Sequence, residues 1–470
     1  MSTQTVDPRS LYKPMDEAQL QHFHWRTVLT AGMGFFTDAY DLFIIGTVTA
    51  ILGPIWHLST TQLMWLNSTS LLASVLGALL FGKLMDVVGR KTMYGAEVLL
   101  LTLGALLTAF SGNVTQLIIF RAIVGIGVGG DYATSAVIMS EYSNRKDRGR
   151  LVGTVFAMQG FGLLAGPAVA AILLASGVPH DIAWRVMLGL GAIPAASVIY
   201  LRRQMKETPR FTLGVRGDVA TTAETVRELT GQSITVDGRT TANRARHSLA
   251  RSPFLLRLIG TAGSWFLLDI AFYGNGVSSQ IILKALLPHA TLLTTTVIAA
   301  AIFLVAAVPG YWTAVALMDR IGRRRIQWVG FLVMAAAYAA IFFAPAIVKL
   351  PMLFLIIYGI SYFFIEFGPN ETTFVYPSEV FPVSVRGLGD GISAASGKTG
   401  AFLGAFMMPL LIKQLDIPGT MGVLAVVSLL GVFLTLVTLP EPKQQTLEEA
   451  SAEVVGIGTA PVSALAGAGK

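Results

Sequence analysis

LMDVVGRK (84–91) decides the reading of this chain, because it returns in the second half as LMDRIGRR (317–324). A second pair follows in the same order. SEYSNRKDRG (140–149) returns as SEVFPVSVRG (378–387), with the acid and the arginine seven apart in both. Two motifs repeating in order at nearly one offset are hard to obtain by chance, so the chain is two related halves. Each motif is short and charged and lies between apolar runs. Those runs approach the ~20 residues needed to cross about 30 Å of hydrocarbon.

Composition agrees. Of 470 residues, 53% are hydrophobic and only 13% charged, with mean hydropathy +0.65. A soluble domain carries about 25% charged residues, and a larger core does not remove the need to wet the surface. The missing charge means that much of the exterior faces hydrocarbon. There is no cysteine, which excludes disulfides, thiolate metal sites and thiol nucleophiles. The opening MSTQTVDPRSLYKPMDEAQLQHFHWR is polar and shows no secretory-leader pattern, so the first membrane helix is expected to direct insertion itself.

Twelve spans are expected, near 27–50, 62–82, 92–111, 115–139, 151–176, 184–201, 256–283, 293–317, 326–345, 351–376, 388–412 and 419–439. The expected organisation is a cytoplasmic N-terminal segment (1–26), a six-helix bundle (27–201), a cytoplasmic linker (202–255), a second six-helix bundle (256–439) and a cytoplasmic tail (440–470). The linker contains RRQMKETPRF and TTANRARHSLARSP, and the tail turns Ala/Gly-rich, which reads as unstructured. Orientation follows from the cations. Lys83, Arg90, Lys91, Arg145, Lys146, Arg148, Arg150, Arg202, Arg203, Arg320 and Arg323–Arg325 fall in alternate loops; the opposite loops hold one or two each, such as Lys284 and Lys349. Both termini are therefore expected in the cytoplasm. The fold class is an all-α membrane protein whose two bundles are related by pseudo-two-fold symmetry, a plan of membrane transporters.

Charges inside the spans are the candidate site. Asp38 and Asp41 lie in FFTDAYDLF of span 1, Arg121 and Asp131 in RAIVGIGVGGDY of span 4, and Asp269 in WFLLDIAFY of span 7. Glu366 and Glu371 lie in IEFGPNETTF of span 10, and Lys398 in ISAASGKTGA of span 11. Each costs several kcal/mol at such depth, so each pairs internally or lines a pathway. A static ion pair is the plain reading for any one of them, but a poor one for the set. Ten helical positions, about 15 Å of rise, separate Arg121 from Asp131, so Arg121 is expected to meet another carboxylate. Trp265, Asp269 and Tyr273 make one drifting stripe at i, i+4, i+8, suited to an oxygen-rich ligand or to core packing around one acid. Gly368-Pro369 should kink span 10. In the loops, Asp86 with Arg90, and Asp319 with Arg323, read as a conformational latch that also draws on Arg148, the expected partner of Asp86. The plainer reading is a charge cluster that only sets topology.

At these residues the match becomes specific. The loop GKLMDVVGRK (82–91) resembles the signature loop of the major facilitator superfamily. FFTDAYDLF, GGDY with MSEYSN, SWFLLDIAFYG, FGPNETTF, YPSEVFPVSVRG and GISAASGKTGA resemble its phosphate:proton symporter family of fungi, plants and some prokaryotes, from residue 27 to LPEP (439–442). The resemblance implies phosphate contacts at Tyr132, Gln159, Trp265, Asp269, Tyr273 and Asn370, with Lys398 nearby. It implies protons carried by Asp38 and Asp131, assisted by Asp41 and Arg121. The chain departs from the family pattern at Ala133-Thr134, at NGVSSQ (275–280), and at Glu366 and Glu371, two acids that would oppose an anion unless protonated or turned away.

No Walker loop, HExxH or GxSxG is present, so no enzyme, cofactor or metal is expected, and the energy should come from an ion gradient or the solute's own. The expected partners are inorganic phosphate, protons and the bilayer of the cell membrane, with no nucleic acid and no obligate protein partner. Rival readings on the same fold are a proton-coupled carrier of an organic acid or other small metabolite, a facilitator of a sugar-like solute, and a transport-derived nutrient receptor.

Overall fold

In the computed structural model, residues 8–232 and 247–453 are described; the remainder of the linker and of the tail lies outside them. Among the described residues eleven helices are long and apolar enough to cross a membrane. Spans 1 to 6 are His22–Ile55, Thr60–Val88, Arg90–Ala109, Val114–Tyr142, Arg148–Ala175 and His180–Gln204. Spans 7 to 10 are Phe254–Val277, Leu292–Ile321, Arg323–Phe343 and Pro351–Val380. The eleventh helix, Arg386–Thr438, has 53 residues, about 80 Å if straight. It breaks at Asp416 (φ 55°, ψ −177°) and so supplies spans 11 and 12.

The boundaries have local causes. Ser59 caps span 2 by accepting from the Gln62 N–H, while the Gln62 side chain returns to the Ser59 N–H, a capping box. Asn113 and Thr291 cap spans 4 and 8 in the same way, without the return bond. The repeated loop works through its glycine. Gly89 (φ 120°) and Gly322 (φ 99°) end spans 2 and 8 and begin spans 3 and 9, a conformation that costs little only without a Cβ.

Within the first half, spans 2 and 3 pack on span 4 and span 1 packs on span 5; within the second, span 7 packs on span 11 and span 9 on span 12. Between halves, span 2 crosses span 11 and span 5 crosses span 8. A two-fold that exchanges the halves sends 2 to 8 and 11 to 5, so the two crossings are one interface seen twice. The outside is apolar: Leu76, Phe110, Val305 and Phe433 are each more than half exposed, as a surface solvated by lipid requires.

The Gly368-Pro369 kink is present. Residues Glu366–Asn370 form a π-type turn in span 10, with Gly368 outside helical geometry (φ −103°, ψ −110°). The linker adds helices at Pro209–Gly214 and Val219–Thr230, and Leu447–Ala450 forms a short helix in the tail. Arg210 gathers these pieces: it donates to Asp16 at 2.5 Å, Glu448 at 3.0 Å and the Glu141 carbonyl at 2.8 Å.

Close approach is needed where span 4 meets span 2. A Cβ on Gly125 would lie 2.8 Å from the Ser70 Cα, whereas one on Gly95 would meet nothing within 4 Å. Overpacking typically costs about 1–3 kcal/mol. Gly125→Val should therefore lower the thermal midpoint in detergent by several degrees, and Gly95→Val should leave it unchanged; equal midpoints would contradict this packing.

Candidate functional site

The end of the bundle that carries the basic loops is closed by two matching charge networks. In one, Arg90 at the start of span 3 meets Asp86 at 3.3 Å and Glu141 at 3.2 Å, and Glu141 also holds Arg386 of span 11 at 2.8 Å. In the other, Arg323 meets Asp319 at 2.8 Å and Glu379 at 2.7 Å, and Glu379 also holds Arg148 of span 5 at 2.8 Å. Asp86 and Asp319 do the same second job. Asp86 accepts the Gly387 and Leu388 N–H groups at 3.0 and 2.8 Å. Asp319 accepts those of Gly149 and Arg150 at 3.1 and 2.7 Å. Each carboxylate thus sits on the positive end of a helix from the opposite half.

This corrects the expected pairing of Asp86 with Arg148. Arg148 belongs to the Glu379 network, because the symmetry joins span 5 to spans 8 to 10 rather than to span 2. Glu141, Glu379 and Arg386 were not picked out as latch residues. They were legible, since they are the acids and one of the arginines that recur seven apart.

At mid-depth the expected ligand residues converge. Tyr132 (span 4) donates to the Gln159 side-chain oxygen (span 5) at 2.8 Å, and its hydroxyl lies 3.1 Å from that of Tyr273 (span 7). The Lys398 ammonium (span 11) donates to Tyr273 at 2.9 Å, lies 3.6 Å from Asp269, and stands 3.6 Å over the Tyr132 ring. Gln159 and Asn370 both donate to the Tyr311 hydroxyl, at 2.9 and 2.6 Å. Trp265 packs 6.1 Å from Tyr132, centroid to centroid. All seven expected residues are at most 2% exposed. Tyr311 completes the set and was missed: a tyrosine within an apolar run gives no signal.

In the first half, Arg121 meets Asp41 at 3.3 Å, the other carboxylate that its depth demanded. Asp131 is held by Arg202 at 3.0 Å and by the Ser135 hydroxyl at 2.6 Å. Arg202 also reaches Glu97 at 3.0 Å and lies 4.2 Å over the Tyr94 ring. Arg202 was read as a loop cation, but span 6 runs on to Gln204 and buries it completely. Glu97, a lone acid in an apolar run, was a signal passed over. Asp38 is fully buried, and neither of its oxygens has a hydrogen-bond partner among the described residues.

At the opposite end a cavity of about 590 Å³ lies between spans 1, 2, 7 and 8, lined by Thr49, Asn67, Val277, Gln280, Lys284 and Thr295. One end is therefore sealed by ion pairs, the other is hollow, and polar groups are packed between them at the junction of two repeats.

Residues 20–454 match the sugar (and other) transporter family. The chain belongs to that family. A probable inorganic phosphate transporter 1-7 of Arabidopsis thaliana is 37% identical, over 95% of each chain. A low affinity inorganic phosphate transporter 8 of Medicago truncatula is 37% identical, over 94% of this chain and 92% of its own. Relatives of this kind uphold the resemblance to phosphate symporters drawn from the motifs. Among solved structures, the major facilitator superfamily proton:xylose symporter bound to 6-bromo-6-deoxy-D-glucose aligns with TM-score 0.77 at 20% identity, covering 92% of this chain and 98% of its own. This transporter family member therefore has the major facilitator fold, and it is a multi-pass membrane protein.

The sealed end makes a prediction. The chain has no native cysteine, so Met318→Cys, buried beside Arg323, reports access there. Leaving one partner of a buried pair unmatched costs about 3–5 kcal/mol. Adding Glu379→Gln should raise the alkylation rate of that thiol on the order of tenfold or more, while unchanged labelling would contradict a latch.

Proposed function

We propose that the chain is a secondary active transporter that carries inorganic phosphate into the cell with protons, by alternating access. The observation that carries this reading is the buried cluster of Lys398, Asp269, Tyr132, Tyr273, Gln159, Tyr311 and Asn370. Dihydrogen phosphate both donates and accepts. The ammonium, the amide N–H groups and the phenols serve its bare oxygens, while the Asp269 carboxylate accepts from a P–OH. The named functions of the plant relatives support the same solute.

Proton coupling rests on the carboxyls of the first half. An ionised acid with no partner in a low-dielectric interior is expensive, so Asp38 is tolerated there while it carries a proton. Asp131 differs, since Arg202 neutralises it as a carboxylate; it accepts a proton when that pair loosens. Asp41, paired with Arg121 beneath the outer cavity, keeps a fixed charge balance on the same helix as Asp38.

On this reading the basic loops and both termini lie in the cytoplasm, at the cell membrane, so the structure is closed to the cytoplasm and hollow on the outside. Phosphate enters through the cavity and displaces the Lys398–Tyr273 and Tyr132–Gln159 contacts. With its proton, it offsets the charges that otherwise hold the site shut. The Asp86, Arg90, Arg148, Asp319 and Arg323 networks are then exchanged for water as spans 2 and 11, and 5 and 8, part at the cytoplasmic end.

Purified protein in liposomes should accumulate labelled phosphate when the outside is acid, and an uncoupler should abolish the accumulation. Asp38→Asn, Asp131→Asn and Asp269→Asn should each reduce the gradient-driven rate about a hundredfold, because an amide cannot cycle a proton at 38 or 131 and, at 269, replaces a buried charged contact of about 2–3 kcal/mol. Uptake indifferent to the pH gradient, or rates preserved in all three variants, would contradict symport. Preference for a carboxylate or a sugar over phosphate in counterflow would contradict the solute.

A further inference from the structure

Among the described residues, three buried acids are left unused by the site and by the gates: Asp390, which lies beside Asp86 and Arg386, and the pair Glu366 and Glu371 in span 10. We propose that the pair forms a second proton-carrying site, in span 10, so that the second half moves its own proton during each phosphate cycle. The proposal rests on the symport reading above and deepens it.

Both carboxyls are completely buried. Glu366 accepts from Asn370 and meets the Tyr311 hydroxyl, while among the described residues neither oxygen of Glu371 has a hydrogen-bond partner. Neither acid takes part in a salt bridge among the described residues, in contrast to Glu141 and Glu379, each of which lies between two arginines. Among the described residues the groups that face them supply no cation. Glu366 faces Tyr311, Asp269, Tyr273, Tyr338 and Tyr362, and Glu371 faces Glu366 and Tyr311. Carboxyls so placed must be neutral while enclosed, and acids in such positions mark proton relays.

The backbone puts them in line. On a regular α-helix, residues five apart point about 140° away from each other at 3.6 residues per turn. Glu366–Asn370 is instead a π-type turn, whose repeat closes at i+5, so Glu371 follows Glu366 along one face. Span 8 yields room for it: a Cβ on Gly310 would lie 3.0 Å from the Glu366 Cβ.

The line also has two ends. Glu366 shares Asn370 with the ligand cluster, so a proton reaches it with the solute. Glu371 points at the crossing of spans 5 and 8; its Oε2 would be 3.1 Å from a Cβ on Gly153. Gly153 is one helical turn from Gly149, whose N–H Asp319 holds. When that crossing opens, Glu371 is the next group that water meets. The step is a simple proton transfer. When the crossing opens, Glu371 gives its proton to water; an O–H bond on Glu366 then breaks as one forms on the Glu371 carboxylate so produced, and Glu366 takes its next proton with the solute.

The test is the coupling ratio, read as the pH gradient at which net phosphate flux reverses against a fixed phosphate gradient in liposomes. Glu371→Gln, at a residue outside the ligand cluster, should keep phosphate counterflow but lower the ratio by about one proton per phosphate, because the amide cannot cycle a proton. An unchanged ratio with intact counterflow overturns the proposal and leaves symport standing. A wild-type reversal point that ignores the pH gradient overturns symport itself. Should Glu371→Gln fail to give counterflow, Glu366→Gln decides: a lowered ratio supports the second site, and the wild-type ratio rejects it.

Discussion

A carboxyl group without a partner, in a place water does not reach, is the constraint on which the rest depends. Among the described residues Asp38 has no hydrogen-bond partner, and it has no exposure. Leaving such a group ionised costs more than most whole contacts contribute. It must be neutral, or something charged must come to it, or the cavity must open. The protein meets other buried acids with arginine: Asp131 and Glu97 share Arg202, Asp41 has Arg121, and Glu141 and Glu379 each have two guanidinium partners. Paired and unpaired acids therefore have different work. On the proposed reading the arginine-paired acids of the gates hold geometry, Asp131 takes a proton only as Arg202 lets it go, and the unpaired acids exchange protons directly.

The paired acids at the basic end also explain how such a molecule can change shape without unfolding. Buried ion pairs add little net stability, because desolvation consumes most of the attraction. Their separation into water is correspondingly affordable, while loss of one partner alone is not. An interface closed by Asp86 and Asp319 on helix ends, and by Glu141 and Glu379 between arginines, is thus specific when shut and tolerant of opening as a unit. The two-fold relation means that both crossings, 2 with 11 and 5 with 8, obey the same rule.

Much of this was readable beforehand, for physical reasons. Charge placed in apolar runs marked Asp38, Asp131, Asp269 and Lys398, and the repeat marked both gates together with the glycines that end spans 2 and 8. What failed was information that only three dimensions hold. A repeat says which residues are equivalent, not which equivalents touch, so Asp86 was matched to Arg148 instead of to span 11. Arg202 sits where an apolar run meets a basic one, and hydropathy cannot tell the last buried turn from the first wet one. Tyr311 has no charge to betray it. Gly368-Pro369 announced a kink, but not that the turn would be π-type and realign Glu366 with Glu371.

The central claim is that protonation of buried acids and occupation of the site are one event. Proton exchange on binding, followed with a pH dye in weakly buffered detergent solution as phosphate is added, tests it most directly. The account predicts that the wild-type protein takes up protons as phosphate saturates, above the uptake explained by the phosphate buffer itself, and that the excess shrinks when Asp38 is asparagine. Saturable phosphate binding with no excess proton uptake at any pH between 5 and 8 would contradict it.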